Sequence, residues 1–177
     1  MVVSNTSPLI ALTEIGLLSL LPQLYGSITL PGAVFDEITV AGAGAPGANE
    51  IRDAGWVTTV RLDDTPLVRA LKLELDAGEA EAIACAVQLR ADWLLIDERR
   101  GRSAAERLGL RVIGTLGILI AAKRAGQLAA IKTPIQDLRD RAGFWMGCWR
   151  AGPAHRQEAR PHTDRHAATP HRQDAAG

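Results

Sequence analysis

The sequence predicts a single α/β domain with a mostly parallel central sheet, doubly wound as an α/β/α sandwich, and three observations carry that prediction. Short β-branched or apolar runs recur along the chain, helical patterns lie between them, and oxygen-bearing side chains stand at the edges of apolar segments. Strands alternating with helices form parallel sheets covered on both faces, and the strand ends of such sheets are where ligands bind. The 177 residues suffice for one domain with a substantial core. Hydrophobic residues make up 47% and aromatics 4%, so Ala, Leu, Ile and Val must supply that core.

Taken in order, residues 2–4 form the first strand. Ser7-Pro8 opens the first helix, with Ser7 as the expected N-cap and Pro8 at the first helical position. Residues 27–30 form a second strand and Pro31 opens a helix. The Gly/Ala loop at 41–48 lacks the Lys-Ser/Thr ending of a phosphate-binding loop and follows a helix, not a strand. A third strand spans 56–60, Pro66 opens a further helix, and the Ala-rich segment 78–90 is helical. Strands at 93–96 and 111–113 are followed by helices at 103–108 and 115–123, with Trp93 assigned to the core. The domain is expected to occupy residues 1–147. From Arg150 to Gly177 there is no Val, Ile, Leu, Met, Phe, Trp, Tyr or Cys, too little apolar surface to offset ordering entropy. Residues 148–177 are therefore expected to be a disordered Arg/His/Pro-rich tail. Its four histidines (His155, His162, His166, His171) are irregularly spaced and have no Cys partner, a pattern unlike a specific metal site.

Two cysteines, Cys85 and Cys148, make no disulfide framework. The apolar N-terminus has no basic region, since the first Lys or Arg is Arg52, and the apolar run 112–122 is too short to span a bilayer. A reducing, cytoplasmic compartment without membrane association is the expectation. The formal net charge of zero hides an asymmetry. Residues 1–98 carry 14 acids and 5 bases, whereas residues 99–124 carry seven bases against Glu106 alone. An acidic cluster beside a basic patch suits a metal-dependent enzyme acting on a polyanion; a solvated helix face with no partner is the plainer reading.

Asn5, Glu37, Glu79 and Asp97 are the candidate ligands. Asp97 follows the run Leu94-Leu95-Ile96 and is either a strand-end ligand or the N-cap of the next helix, with Glu98 a first-turn acid. On a helix through Pro31–Ile38, residues Val34, Ile38 and Ala41 share one face. Glu37 lies about 65° from its centre, while Asp36 points away. An acid at a core margin needs a partner, either an Arg or a cation. Glu79 and Glu81 compete within one Ala-rich helix. Glu79 shares a side with Ile83, which favours it without settling the choice. Asn5 is a turn residue or a carbonyl ligand, and Ser7 could bind a coordinated water. A set of hard oxygens with no His or Cys excludes an ordinary zinc site and points to Mg²⁺ or Mn²⁺.

The order and setting of these residues resemble the PIN-domain nucleases. The matching segments are Val3-Ser4-Asn5-Thr6-Ser7-Pro8-Leu9-Ile10, Leu30-Pro31 through Val34 to Glu37-Ile38, Gly78-Glu79-Ala80-Glu81-Ala82-Ile83-Ala84, Leu95-Ile96-Asp97-Glu98, and Gly109-Leu110 through Val112-Ile113-Gly114-Thr115. The resemblance spans about residues 2–146, and the likeness is nearest to a bacterial and archaeal branch related to VapC-type toxins. The resemblance implies cleavage of single-stranded RNA with Mg²⁺ or Mn²⁺, Glu37, Glu79 and Asp97 as acidic ligands, and Glu98 as a candidate fourth. It further implies a small antitoxin partner and a homodimer. Segments 17–24 and 112–122 are available for a dimer surface, although core is the commoner use of such residues. Arg99, Arg100 and Arg102 are placed to touch the RNA backbone, positioning the strand without reading its sequence, and Ser7 is counted with them as a nucleic-acid contact. Two departures stand out. The family's first acid, usually Asp, is Asn5 here, which removes one negative charge. After Met146 the family typically continues with an amphipathic helix, whereas this chain turns into the Arg/His/Pro tract, as a truncated or frameshifted end would.

Two other classes fit parts of the pattern. A catalytically impaired PIN-like module would bind nucleic acid or protein without cutting. A phosphoacceptor receiver domain also gathers acids around Mg²⁺, but it needs an acid pair after the first strand, where this chain has Ser4-Asn5.

Overall fold

A computed structural model of the chain describes residues 1–142. The expected boundary at 147, Cys148, the four histidines and the 148–177 tail lie outside the described residues.

Five strands form one sheet: β1 (Val2–Ser4), β2 (Ile28–Pro31), β3 (Val57–Val60), β4 (Trp93–Leu95) and β5 (Val112–Ile113). Their order is β3-β2-β1-β4-β5, and every pairing is parallel, so the sheet is wholly and not just mostly parallel. The chain winds outward from β1 through β2 to β3, then returns to lay β4 on the other side of β1. The strand order thus reverses between β1 and β4. In an open α/β sheet, that reversal leaves a crevice beyond the strand ends. Val3, Ile28, Leu30 and Leu95 are wholly buried, as strands covered on both faces require.

The nine helices of the described residues are α1 (Thr6–Glu14), α2 (Leu20–Tyr25), α3 (Gly32–Asp36), α4 (Ala48–Arg52), α5 (Pro66–Leu71), α6 (Ala77–Gln88), α7 (Arg99–Arg107), α8 (Thr115–Arg124) and α9 (Lys132–Asp140). Helices α1 and α2 pack with α8, and α6 packs with α3, α5 and α7 while crossing β1, β2 and β4. The apolar segments 17–24 and 112–122 meet through the α2–α8 contact, where Leu18, Leu20, Leu21, Ile118, Leu119 and Ala122 are buried. Trp93 packs against the core and carries the Arg111 guanidinium 5.0 Å above its ring.

Three local features differ from the sequence expectations. The N-cap of α1 is Asn5, not Ser7. Its Oδ1 accepts a hydrogen bond from Thr6 N at 2.6 Å, and the helix starts at Thr6, two residues earlier than the Pro8 position implied. Helix α7 begins at Arg99, four residues before the expected start, with Glu98 and not Asp97 in the N-cap position. Beyond α3 the helix widens into a π turn, Glu37–Ala41. One residue added to the turn moves Ala41 off the inward face. Ala41 and Glu37 are both exposed, so Glu37 is not at the core margin that regular α-periodicity indicated.

Candidate metal centre

The crevice between β1 and β4 collects side chains from four separate stretches. Asn5 leaves β1 and is only 3% exposed. Glu37 opens the π turn, and its Oε2 accepts a hydrogen bond from Thr6 Oγ1 at 2.6 Å. Glu79 lies in the first turn of α6 and is 3% exposed. Glu98 follows β4, beside the buried Ser7 hydroxyl.

Asp76 joins this group although no sequence feature had singled it out. It caps α6 by accepting from Glu79 N through Oδ1 at 2.7 Å. Ligand oxygens of Asp76, Glu79 and Glu98 lie within 4.8 Å of one another. Its signal was the Asp-x-x-Glu spacing at a helix start, which reads equally well as an ordinary cap. Gly78 completes the arrangement. A Cβ added there would stand 2.9 Å from Glu37 Oε2, 3.5 Å from Asp76 Oδ1 and 3.6 Å from Asn5 Oδ1. Three oxygens from three elements thus border one space that only a glycine leaves open.

Glu79 and Glu81, which periodicity had left in competition, occupy different settings. Glu81 accepts from Ala33 N and from Lys72 Nζ, each at 3.1 Å, and so ties α6 to α3 and α5. Glu79 Oε1 is buried with no hydrogen-bond partner. Burial first, and then the charges of Glu98 and Asp76, raise the Glu79 carboxyl to about 8. Glu98 is also raised, first by burial and then by Asp76, while hydrogen bonding to Glu79 and Ser7 pulls it down. Among the described residues, none of Glu37, Asp76, Glu79 and Glu98 takes part in an ion pair. Of these, Glu79 is buried and Glu98 half-buried, and a buried carboxylate without a counter-charge is costly.

The donor set fits a hard divalent cation. It contains only oxygens, it carries acids that lack a cation, and it includes a sealed acceptor without a donor. Asn5, Glu37, Asp76, Glu79 and Glu98 are the residues able to hold one.

Asp97 has other partners. Its Oδ1 accepts from Thr115 N at 2.8 Å and its Oδ2 from Thr115 Oγ1 at 2.6 Å. Burial raises its pKa, and the two Thr115 hydrogen bonds and nearby Arg102 oppose the rise. Arg102 donates from Nη1 to the Ile96 carbonyl at 3.2 Å, so it faces the protein. Arg99 and Arg100 are exposed at the start of α7.

No helix of the described residues is long and apolar enough to cross a membrane. A search of curated proteins finds no match. A family model described as a PIN domain matches residues 1–149, which takes in the whole sheet and every residue of the candidate centre. With most of its length matched by that model, and with the wholly parallel, doubly wound sheet described above, the chain belongs to the PIN-domain family.

Proposed function

We propose that this protein is a metal-dependent endoribonuclease that cleaves single-stranded RNA with Mg²⁺ or Mn²⁺, in the cytoplasm, as the toxin of a toxin–antitoxin pair. Membership of the PIN-domain family supports a nuclease, and the observation that carries the reading is the cation-free acidic crevice around Gly78. The chemistry a divalent cation supplies in such a setting is charge stabilisation at the scissile phosphate and a lowered pKa for the attacking water. The chain's own residues divide the remaining work. Asn5, Glu79 and Glu98 form the oxygen-lined floor, and exposed Asp76 and Glu37 form its solvent-side wall, Glu37 steadied by Thr6. Arg99 and Arg100 lead away from Glu98 along α7 and would bind successive RNA phosphates, setting the strand's position without reading its bases. Ser7, buried beside Glu98, supports that carboxylate through a hydrogen bond. A small inhibitory antitoxin and a homodimer complete the proposed assembly.

Incubating the full-length protein with labelled single-stranded RNA and Mn²⁺ tests this reading. Cleavage that stops in EDTA and in Glu79→Gln supports it. Intact RNA under every metal condition overturns it. Asn5 favours one alternative, a PIN-like module that binds without cutting, because its amide brings no charge and its Oδ1 is engaged by Thr6 N. RNA retained in a gel shift but never cut would select that alternative.

A further inference from the structure

We infer that Asp97 is a positioning residue, a clamp on the start of α8, and that its neighbour Glu98 is the acid that β4 delivers to the metal centre. This rests on the metal-centre reading above for the part played by Glu98; the clamp stands on geometry alone. Both carboxylate oxygens of Asp97 are engaged by one residue, Thr115, through its N–H and its hydroxyl. The Thr115 N–H is one of the orphan donors at the head of a ten-residue helix, so Asp97 satisfies it from a distant part of the chain, as an N-cap side chain would from nearby. Thr115 is wholly buried. Gly114 leaves no slack, since a Cβ there would stand 2.6 Å from Asp97 Oδ1 and 3.0 Å from Arg102 Nη1. Both oxygens are thus turned to α8, and Asp97 is not among the acids whose ligand oxygens converge within 4.8 Å.

Glu98 is in the opposite condition. Its carboxylate lies with Asp76 and Glu79, with ligand oxygens within 4.8 Å of one another, and Glu79 Oε1 beside it has no hydrogen-bond partner. Two adjacent acids at a strand end thus divide the labour. Asp97 fixes the β4 terminus to α8 and thereby sets where Glu98 stands.

The test combines melts in EDTA with melts at rising Mn²⁺ for full-length Asp97→Ala, Asp97→Asn, Thr115→Val, Thr115→Ser, Glu98→Gln and the Asp97→Ala/Thr115→Val double variant. In EDTA, loss of a buried cap should lower Tm by about 4 °C in Asp97→Ala. Thr115→Val should fall similarly, the double variant no further than the single ones, and Thr115→Ser should match wild type. Glu98→Gln should melt higher than wild type, because it removes repulsion. In Mn²⁺, Asp97→Ala and Thr115→Val should weaken the response equally, by about tenfold in Mn²⁺ concentration, and Glu98→Gln should abolish it. Additive losses in EDTA, or a response abolished by Asp97→Ala yet untouched by Thr115→Val, would overturn the assignment. If Asp97→Ala does not fold, Asp97→Asn replaces it in the same comparison. A wild type indifferent to Mn²⁺ sinks the metal-centre reading and the role given to Glu98, while the EDTA cycle still decides the clamp.

Discussion

Asp92, just before β4, and Glu98, just past its end, are acids on the same strand in opposite electrostatic states. Asp92 is exposed and meets the Met1 ammonium group, with Arg111 Nη2 at 3.8 Å. The hydrogen bond from that ammonium, followed by its charge, holds Asp92 below the usual carboxylate range. Among the described residues, Glu98 and its neighbours Glu79 and Asp76 take part in no ion pair, and burial together with the charges of Glu98 and Asp76 drives Glu79 to about 8. One edge of the sheet is electrostatically complete; the other is complete only with an added cation. Position relative to the crevice, not residue type, makes the difference, because the crevice between β1 and β4 lies beyond the C-terminal ends of the strands alone.

The largest effects should come from Glu79. Glu79→Gln should cut RNA cleavage by at least about 100-fold and should also change the pH dependence of the metal-free fold. The folded protein keeps a proton on Glu79 up to about 8, whereas an unfolded Glu releases it near 4.5. The folded state therefore binds more protons between those values, and its stability in EDTA should fall as pH rises from about 4.5 to 8. Asp92 contributes nothing to that slope. Its lowered pKa stabilises the fold above its ordinary value of 3.8 and is lost only below it. Urea melts from pH 5 to 8 should show the slope in wild type and a flatter line in Glu79→Gln. An equal slope in both would assign the titration elsewhere.

Gly101→Ala should follow. Alanine normally gains about 1 kcal/mol over glycine inside a helix. Here its Cβ would stand 2.4 Å from Ile96 Cδ1 and 2.6 Å from Glu79 Oε1. Both side chains are buried and cannot swing aside, so overpacking of about 1–3 kcal/mol outweighs the gain. Chemical denaturation should show a net loss, and Mn²⁺ affinity should drop with it. A stabilised variant would mean that α7 does not press on Glu79.

Much of the fold was legible because strand runs and helix-opening prolines recur at regular intervals. What escaped was decided by contacts distant in sequence. The early start of α7 was hidden because Gly101 and three arginines dilute the helical pattern, and Gly101 is needed because Ile96 and Glu79 come up beneath it. The π turn was hidden because it differs from an α-helix by one residue per turn. Gly42 closes it by approaching the Glu37 and Ile38 carbonyls, where a Cβ would meet oxygen at 3.2 and 2.7 Å. Within the centre, burial and helix position separated Glu79 from Glu81, which a nearly all-apolar helix could not. Asp76 was passed over because a cap and a ligand use the same side chain.

Asn5→Asp sharpens the contrast between the edges by adding a charge to the one that already lacks cations. Mn²⁺ binding should tighten by about tenfold, since a carboxylate replaces a carbonyl dipole, and Tm in EDTA should fall. Unchanged affinity and unchanged Tm together would remove Asn5 from the centre. At the other edge, Asp92→Asn should be the quietest variant. Exposed pairs contribute little, so Mn²⁺ affinity should stay at the wild-type value and Tm should move by about 1 °C or less. A loss of metal response there would break the separation between the two edges.

The most direct measurement is isothermal calorimetry of Mn²⁺ binding to the full-length protein near pH 7, repeated in two buffers of different ionisation enthalpy. Glu79 holds a proton at that pH and must release it to become a ligand. Saturable binding is therefore predicted, with release of about one proton per protein, and Glu79→Gln should lose both the binding and the proton. No binding heat in either buffer, or binding that survives Glu79→Gln with no proton released, would contradict a metal centre built on these acids.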